Sequence, residues 1–269
     1  MMDFLKMHGL GNDFIVLDAR QHGLDMGPER ARLLADRKRG IGCDQIMLLK
    51  KSDEADIFLE MWNADGDTVG ACGNGTRCVA ALMLDETGAD TVSIQTEAGI
   101  LSAWSEAGEI AVNMGPARLG WSDIPLATEM DTAAITLDGF DLPPAIGVSM
   151  GNPHMVFFID DADAIDVASL GPQIETHALF PERTNVEFVH QLGPDHWRMR
   201  VWERGVGITE ACGSGACAVA VAAARTGRGG RRSVVALDGG SLTLTWREDG
   251  DVIMRGPTAI SFKGQISDV

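Results

Sequence analysis

The chain carries a near-copy of itself, and that repeat constrains its fold more than any other feature. Residues 71–78 read ACGNGTRC and residues 211–217 read ACGSGAC, with Cys212 lying 140 positions after Cys72. The same shift places Gly11-Asn12 on Gly151-Asn152, Val16 on Val156, Gln45 on Asn185, and Met61-Trp62-Asn63 on Val201-Trp202-Glu203. Past the cysteines the shift changes by one or two. There Thr87-Gly88 meets Thr226-Gly227, Trp104 meets Trp246, and Gly115-Pro116 meets Gly256-Pro257. The chain has only 6 tryptophans, so two matched pairs of them make chance a poor account. Two copies are too few for a stacked solenoid. A tandem duplication gives two similar domains about a pseudo-twofold axis, expected over residues 1–115 and 116–258. Residues 117–144, rich in Gly, Asp and Pro, read as a connection. The tail 259–269 is expected to supply a closing strand at 259–262 that packs back on the first domain.

Within each copy the pattern is mixed. Short apolar runs at 14–17, 46–49, 155–158 and 186–189 read as buried strands. Trp197, Met199 and Val201 alternate with Arg198 and Arg200, the period of a half-buried strand. After each ACG the chain turns helical, over 78–84 and 216–224, and Thr-Gly supplies the stop. Those helices are apolar on nearly every face, which calls for sheet around them. Strand character returns at 92–94, 100–104, 234–237 and 242–246. The fold class is therefore α/β of the α+β type: two pseudo-symmetric domains, each a mainly antiparallel sheet wrapped round a central helix.

Net charge and cysteine usage narrow the function classes. A formal charge of −17 argues against nucleic acid or a membrane surface as partner. No apolar run reaches the length of a membrane span and no export signal opens the chain, so a cytoplasmic protein is expected. The 5 cysteines are odd in number and fit no disulfide framework. Their spacings, four and five residues within the close pairs, do not match zinc knuckles, and no metal site is expected.

Cys72 and Cys212 each open a helix and are each followed by Gly. A helix start offers unpaired N–H groups and partial positive charge, which is expected to lower a thiol's pKa toward neutrality. The same N–H groups, left open by Gly73-Asn74 and Gly213-Ser214, suit a carboxylate. Two such thiols related by a pseudo-twofold axis would face one another across a cleft. That pair suits inversion of a stereocentre beside a carboxylate, one thiolate removing the α-proton and the opposite thiol returning one to the other face. Neither a dinucleotide fingerprint nor a phosphate loop is present, and no cofactor is expected.

The chain resembles the diaminopimelate epimerase family over essentially its whole length. The resemblance rests on GLGNDFIVLD from Gly9, RGIGCDQ from Arg39, NADGDTVGACGNGTRC from Asn63, GNPH from Gly151, ERTNVEF from Glu182 and ERGVGITEACGSGAC from Glu203. It implies a cofactor-independent enzyme that interconverts LL- and meso-diaminopimelate in lysine and peptidoglycan-precursor biosynthesis, with two pseudo-symmetric domains and one catalytic cysteine from each. By resemblance, Cys212 accepts the proton and Cys72 donates it in the LL-to-meso direction. Gly73, Asn74, Gly213 and Ser214 would hold the reacting end of the substrate. Asn12, Gln45, Asn63, Asn152, Asn185 and Arg204 would fix the remainder, with the Arg204 fork suited to the distal carboxylate. Glu203 and His154 match positions that support catalysis by charge and hydrogen bonding, and Glu203 also borders the substrate. A homodimer is implied as well, although the chain has 0 tyrosines, so any dimer contact that a relative makes through Tyr must be made otherwise. His8 and Cys43 lie in family-like segments without assigned chemistry, and Cys78 and Cys217 read as core. Ile208-Thr209-Glu210 departs from the commoner family pattern and puts the hydrogen bonds of that loop in question.

Three other functions fit parts of the sequence. A proline or hydroxyproline racemase would share the fold and the cysteines, but a ring substrate has no distal head for Asn12, Asn63, Asn185 and Arg204. A pyridoxal-phosphate racemase needs a Schiff-base lysine, which no motif here suggests. A non-enzymatic two-lobed amino-acid binder would not need paired cysteines.

Overall fold

A computed structural model describes residues 2–21 and 23–267. By internal contacts the chain divides into two compact units, Met1–Asn113 with Arg255–Val269, and Met114–Met254.

Unit 1 runs β1 (Met2–Gly9), β2 (Asn12–Asp18), α1 (Pro28–Ala35), β3 (Gln45–Lys50), β4 (Ile57–Asn63), α2 (Gly73–Thr87), β5 (Thr91–Thr96), β6 (Gly99–Glu106) and β7 (Glu109–Pro116). The last strand of the chain, β16 (Ala259–Ile266), completes it by pairing antiparallel with β1. The strand order is β16-β1-β2-β3-β4-β5-β6-β7. Among the described residues of this unit, β2/β3 and β4/β5 are the parallel pairs. Parallel neighbours need a crossover, and α1 and α2 are those crossovers.

β2 and β3 carry unbroken apolar runs because both their faces are covered. Ile15, Leu17, Ile46 and Leu48 join Ala31, Leu34 and Ala35 of α1 in one core cluster. Met47, on the alternate face, meets α2 at Gly75, where its thioether lies against the helix backbone. α2 packs against β1, β2, β3, β5 and β6, so the sheet curls round it. Gly88 ends it in the left-handed region at φ 64°.

Unit 2 repeats the order: β8 (Ile146–Ser149), β9 (Pro153–Phe158), α3 (Val167–Glu175), β10 (Asn185–Gly193), β11 (His196–Glu203), the short β12 (Gly207–Ile208), α4 (Gly213–Arg225), β13 (Arg232–Leu237), β14 (Gly240–Trp246) and β15 (Asp251–Gly256). The strands lie β15-β14-β13-β11-β10-β9-β8, with β12 paired to β11. Even the register is copied. Phe14 pairs with Gln45 in unit 1 and His154 with Asn185 in unit 2. α4 packs against β8, β9, β10, β11, β13 and β14 and is buried from Gly215 to Ala223.

The segment 117–144 differs from the expected connection. Ile124, Leu126, Ile135 and Leu137 are buried in the unit 2 core beside Phe157 and Phe188, and Ile135 bridges Ala145. Its Gly, Asp and Pro residues make turns between these buried anchors, so composition alone concealed the packing. No helix among the described residues is long and apolar enough to cross a membrane.

Candidate active site

In each unit the helix that the sheet encloses begins immediately after a cysteine. Cys72 caps α2: its Sγ accepts a hydrogen bond from the Gly75 N–H at 3.4 Å. Cys212 caps α4 with extended backbone, and its Sγ lies 3.7 Å from the Ser214 hydroxyl. All five cysteines are free thiols. Cys43, Cys78 and Cys217 are buried, and burial pushes both Cys43 and Cys78 up to about 12, which makes them inert at neutral pH.

Two amide side chains, Asn12 and Asn74, lie beside Cys72. The Cys72 thiol points to Asn12 Oδ1 at 3.9 Å, and Asn74 Nδ2 donates to the same oxygen at 3.3 Å. Asn12 stands at the start of β2, next to the β1–β2 turn, where Gly11 takes φ 81°. Gln45 Nε2 donates to Asn63 Oδ1 at 2.8 Å, because antiparallel pairing sets these residues opposite each other. Gly73 is the first residue of α2 and carries no side chain over the open N–H groups.

Round Cys212 the groups are ionisable. His154 Nδ1 and Glu187 Oε1 are 2.7 Å apart in a fully buried pair. His154 Nε2 lies 3.0 Å from Asn152 Oδ1, and Asn152 Nδ2 donates to the Ser214 hydroxyl at 3.4 Å. Asn185 Nδ2 donates to the Pro153 carbonyl, and Asn185 Oδ1 accepts the Arg204 backbone N–H at 2.9 Å. The Arg204 guanidinium is exposed, with Nη1 donating to the Glu182 carbonyl at 3.2 Å, so its remaining donors are open to a ligand. Gly213 opens α4 as Gly73 opens α2.

The thiol chemistry departs from expectation at Cys212. The helix start predicts a lowered pKa, but burial pushes it well above the ordinary thiol value, and the Glu203 and Glu187 carboxylates push the same way. The Gly215 N–H and Ser214 hydroxyl oppose the shift and do not overcome it. Cys212 is 4% exposed, so desolvation outweighs a partial charge at one helix end. Glu203 is also raised, first by burial, with hydrogen bonds from the Thr209 hydroxyl and the Cys212 thiol limiting the rise. The Ile208-Thr209-Glu210 departure thus has a defined role: Ile208 pairs with Trp202, and the Thr209 hydroxyl donates to Glu203 Oε1.

Sequence reasoning passed over Glu187. It occupies a fully buried strand position, and burial raises its carboxyl against the opposing effect of His154. Glu187 Oε2 is buried without a hydrogen-bond partner among the described residues. The signal lay in the repeat, whose shift sets Glu187 on Met47 and His154 on Phe14. An ionisable pair thus stands where the first copy has two apolar side chains.

A family model described as diaminopimelate epimerase matches residues 4–120 and 146–260. A diaminopimelate epimerase of Rhodospirillum centenum is 53% identical, over 98% of this chain and 92% of that protein. One of Acidiphilium cryptum is 52% identical, over 98% and 95%. Among solved structures, a Bacillus anthracis phenazine biosynthesis protein of the PhzF family superposes with a TM-score of 0.71 at 16% identity, covering 99% of each chain. At that identity the likeness shows the fold.

Proposed function

The chain belongs to the diaminopimelate epimerase family, and from that premise we propose that Cys72 and Cys212 are the two bases that invert one stereocentre of diaminopimelate. It is an isomerase acting on a small amino-acid substrate. In the LL-to-meso direction Cys212 removes the α-proton and Cys72 returns one to the opposite face. The observation that carries this reading is the matched placement of the thiols, each the N-cap of the enclosed helix at corresponding positions of the repeat.

Burial favours the protonated form of Cys212, so the sulfur acts as a base only when a neighbour or the bound substrate offsets that cost. Glu203 accepts a hydrogen bond from the Cys212 thiol, and the Glu187–His154 pair adds further ionisable groups close by. The helix-start N–H groups at Gly73-Asn74 and Gly213-Ser214 receive the reacting carboxylate and the charge that spreads into it in the transition state. Asn12, Gln45, Asn63, Asn152, Asn185 and Arg204 hold the remainder of the substrate, with Arg204 on the distal carboxylate. The reading requires no cofactor and no metal, and it places the enzyme in the cytoplasm as a homodimer.

A coupled assay with LL-diaminopimelate tests it directly. Cys72→Ala and Cys212→Ala should each abolish epimerisation while leaving circular dichroism unchanged. Normal turnover by either variant, or turnover of proline in place of diaminopimelate, would overturn the assignment.

A further inference from the structure

The amides beside Cys72 form a chain with a fixed direction. At one end Arg77 Nη1 donates to Asn74 Oδ1 at 2.9 Å. Asn74 Nδ2 donates to Asn12 Oδ1 at 3.3 Å, and Asn12 Nδ2 donates to Asp44 Oδ2 at 2.9 Å. A guanidinium has only donors, and the carboxylate of Asp44, ion-paired with Arg37 at 2.7 Å, has only acceptors. Each amide between them therefore has one orientation. Turning Asn12 over would set its carbonyl against the Asp44 carboxylate and its NH2 against the Asn74 NH2. The consequence is that Asn12 Oδ1, an acceptor, faces the Cys72 sulfur. An acceptor there stabilises S–H and repels a thiolate.

Unit 2 has the opposite arrangement at the corresponding amide. Asn152 uses Oδ1 on the His154 ring and turns Nδ2 toward Ser214, whose hydroxyl contacts Cys212. At the 140-residue shift the position corresponding to Asp44 is Thr184, which offers no carboxylate. Asp44 is thus one of the residues that break the symmetry of the repeat.

We propose that Asp44 is a positioning residue for the proton on Cys72, locking the Asn12 amide so that its carbonyl holds Cys72 as the thiol that donates. This rests on the reading of Cys72 as one of the two bases and adds the group that sets its resting protonation. Asp44 is itself well braced. It exchanges backbone-to-carboxylate hydrogen bonds with Asp13, whose N–H donates to Asp44 Oδ2 while the Asp44 N–H donates to Asp13 Oδ1. Arg37 bonds both carboxylates, and Lys6 bonds Asp13 and the Gly42 carbonyl. Burial alone would raise Asp13, but the hydrogen bonds of Arg37 and Lys6 overcome it and hold that carboxyl far below the usual range.

The elements packed against α2 carry other ionisable groups: Arg77, Cys78, Asp85 and Glu86 on the helix itself, Asp3, Lys6 and His8 on β1, Asp13 and Asp18 on β2, Lys50 on β3 and Glu106 on β6, with Glu97 in the β5–β6 turn and none on β5. Removing the Asp44 charge would lower a nearby thiol's pKa by simple electrostatics, so the test must separate that effect from the amide.

The readout is the pH dependence of Cys72 alkylation by iodoacetamide, resolved by peptide mapping without substrate. Asp44→Asn removes one of the two constraints on Asn12 and offers a donor in its place, leaving only the Asn74 NH2 to hold the amide, so the midpoint should fall by up to about 0.5–1 pH unit, the size of one hydrogen bond. LL-to-meso turnover should fall severalfold with circular dichroism unchanged. In an Asn12→Ala background, Asp44→Asn should shift the midpoint no further. A shift of the same size in that background would be plain electrostatics and would overturn the proposal, as would an unshifted midpoint in folded Asp44→Asn. If Asp44→Asn does not fold, Asp44→Ala is titrated against the same criteria. The alkylation readout needs no turnover, so an enzyme inactive on diaminopimelate would refute the function while leaving the Asp44 result to be read separately.

Discussion

At the scale of single residues, the two cysteines differ in what surrounds them more than in where they sit. Glu187 illustrates the consequence. A carboxyl whose folded pKa lies above its unfolded value binds more protons in the folded state. Its contribution to stability is full below about pH 4.5, the ordinary Glu value, and is lost as pH rises through the raised folded value. Glu203 acts in the same direction, and Asp13, held low, acts in the opposite one as pH falls below the usual Asp value of 3.8. Glu187→Gln keeps the shape of the protonated side chain and removes the titration. Its melting temperature should gain on wild type as pH rises above about 4.5, and its turnover should drop, by about a hundredfold or more if Glu187 takes part in proton transfer. A difference in melting temperature that does not change with pH above about 4.5 would overturn the raised Glu187 carboxyl. Arg204 makes a second test at this scale. Arg204→Lys keeps charge but loses the planar fork, so KM for diaminopimelate should rise about tenfold, a loss of ~1.4 kcal/mol, with kcat much less changed.

At the scale of elements, the first turns of α2 and α4 are built alike and tolerate change differently. A Cβ on Gly75 would lie 2.3 Å from the end of Met47, a flexible side chain that can swing away. A Cβ on Gly215 would lie 2.8 Å from Glu187 Oε1 and 3.2 Å from Cys212 Sγ, and the carboxylate cannot move without breaking its bond to His154. Gly215→Ala should therefore cost about 2–3 kcal/mol in urea unfolding and most of the activity, against about 1 kcal/mol for Gly75→Ala. Equal losses would mean that the Glu187 side is not the rigid one. These helices were legible in the sequence because apolar residues run round them and a Thr-Gly stop closes each. The strands 14–17, 46–49, 155–158 and 186–189 were legible for a related reason: burial on both faces writes an unbroken apolar run. α1 and α3 were not, since α1 (PERARLLA) is short and buries only Ala31, Leu34 and Ala35, and α3 contains Pro172. Glu187 escaped notice for the converse reason, one acidic residue inside a run that otherwise reads as core.

At the scale of the whole chain, the duplication leaves unit 1 incomplete until the last strand is made. β16 covers the β1 edge in register from Met2↔Ile266 to His8↔Ala259, with a bulge between Lys6 and Met7. Phe262 meets Phe4 edge to face at 6.0 Å, and Gly264 leaves room for the Phe4 ring. Phe4 is 8% exposed with β16 packed against it. No local property of residues 2–9 announces this partner, which lies more than 250 positions away, whereas the repeat marked the tail as surplus and so available to close a sheet. Contacts of such sequence separation form late and carry a large entropic cost of closure. Ending the chain at Thr258 would strip a whole strand from β1 and expose Phe4, whose burial is worth ~1.5–3 kcal/mol by itself. That truncation should lower the melting temperature by about 5 °C or more and expose apolar surface to a dye such as ANS. Phe262→Ser, which keeps the strand and removes one ring contact worth ~0.5–1.5 kcal/mol, should lower it by only about 2–4 °C. If the truncated chain melted no earlier than Phe262→Ser, the strand pairing of β16 would add nothing to unit 1 beyond that single ring.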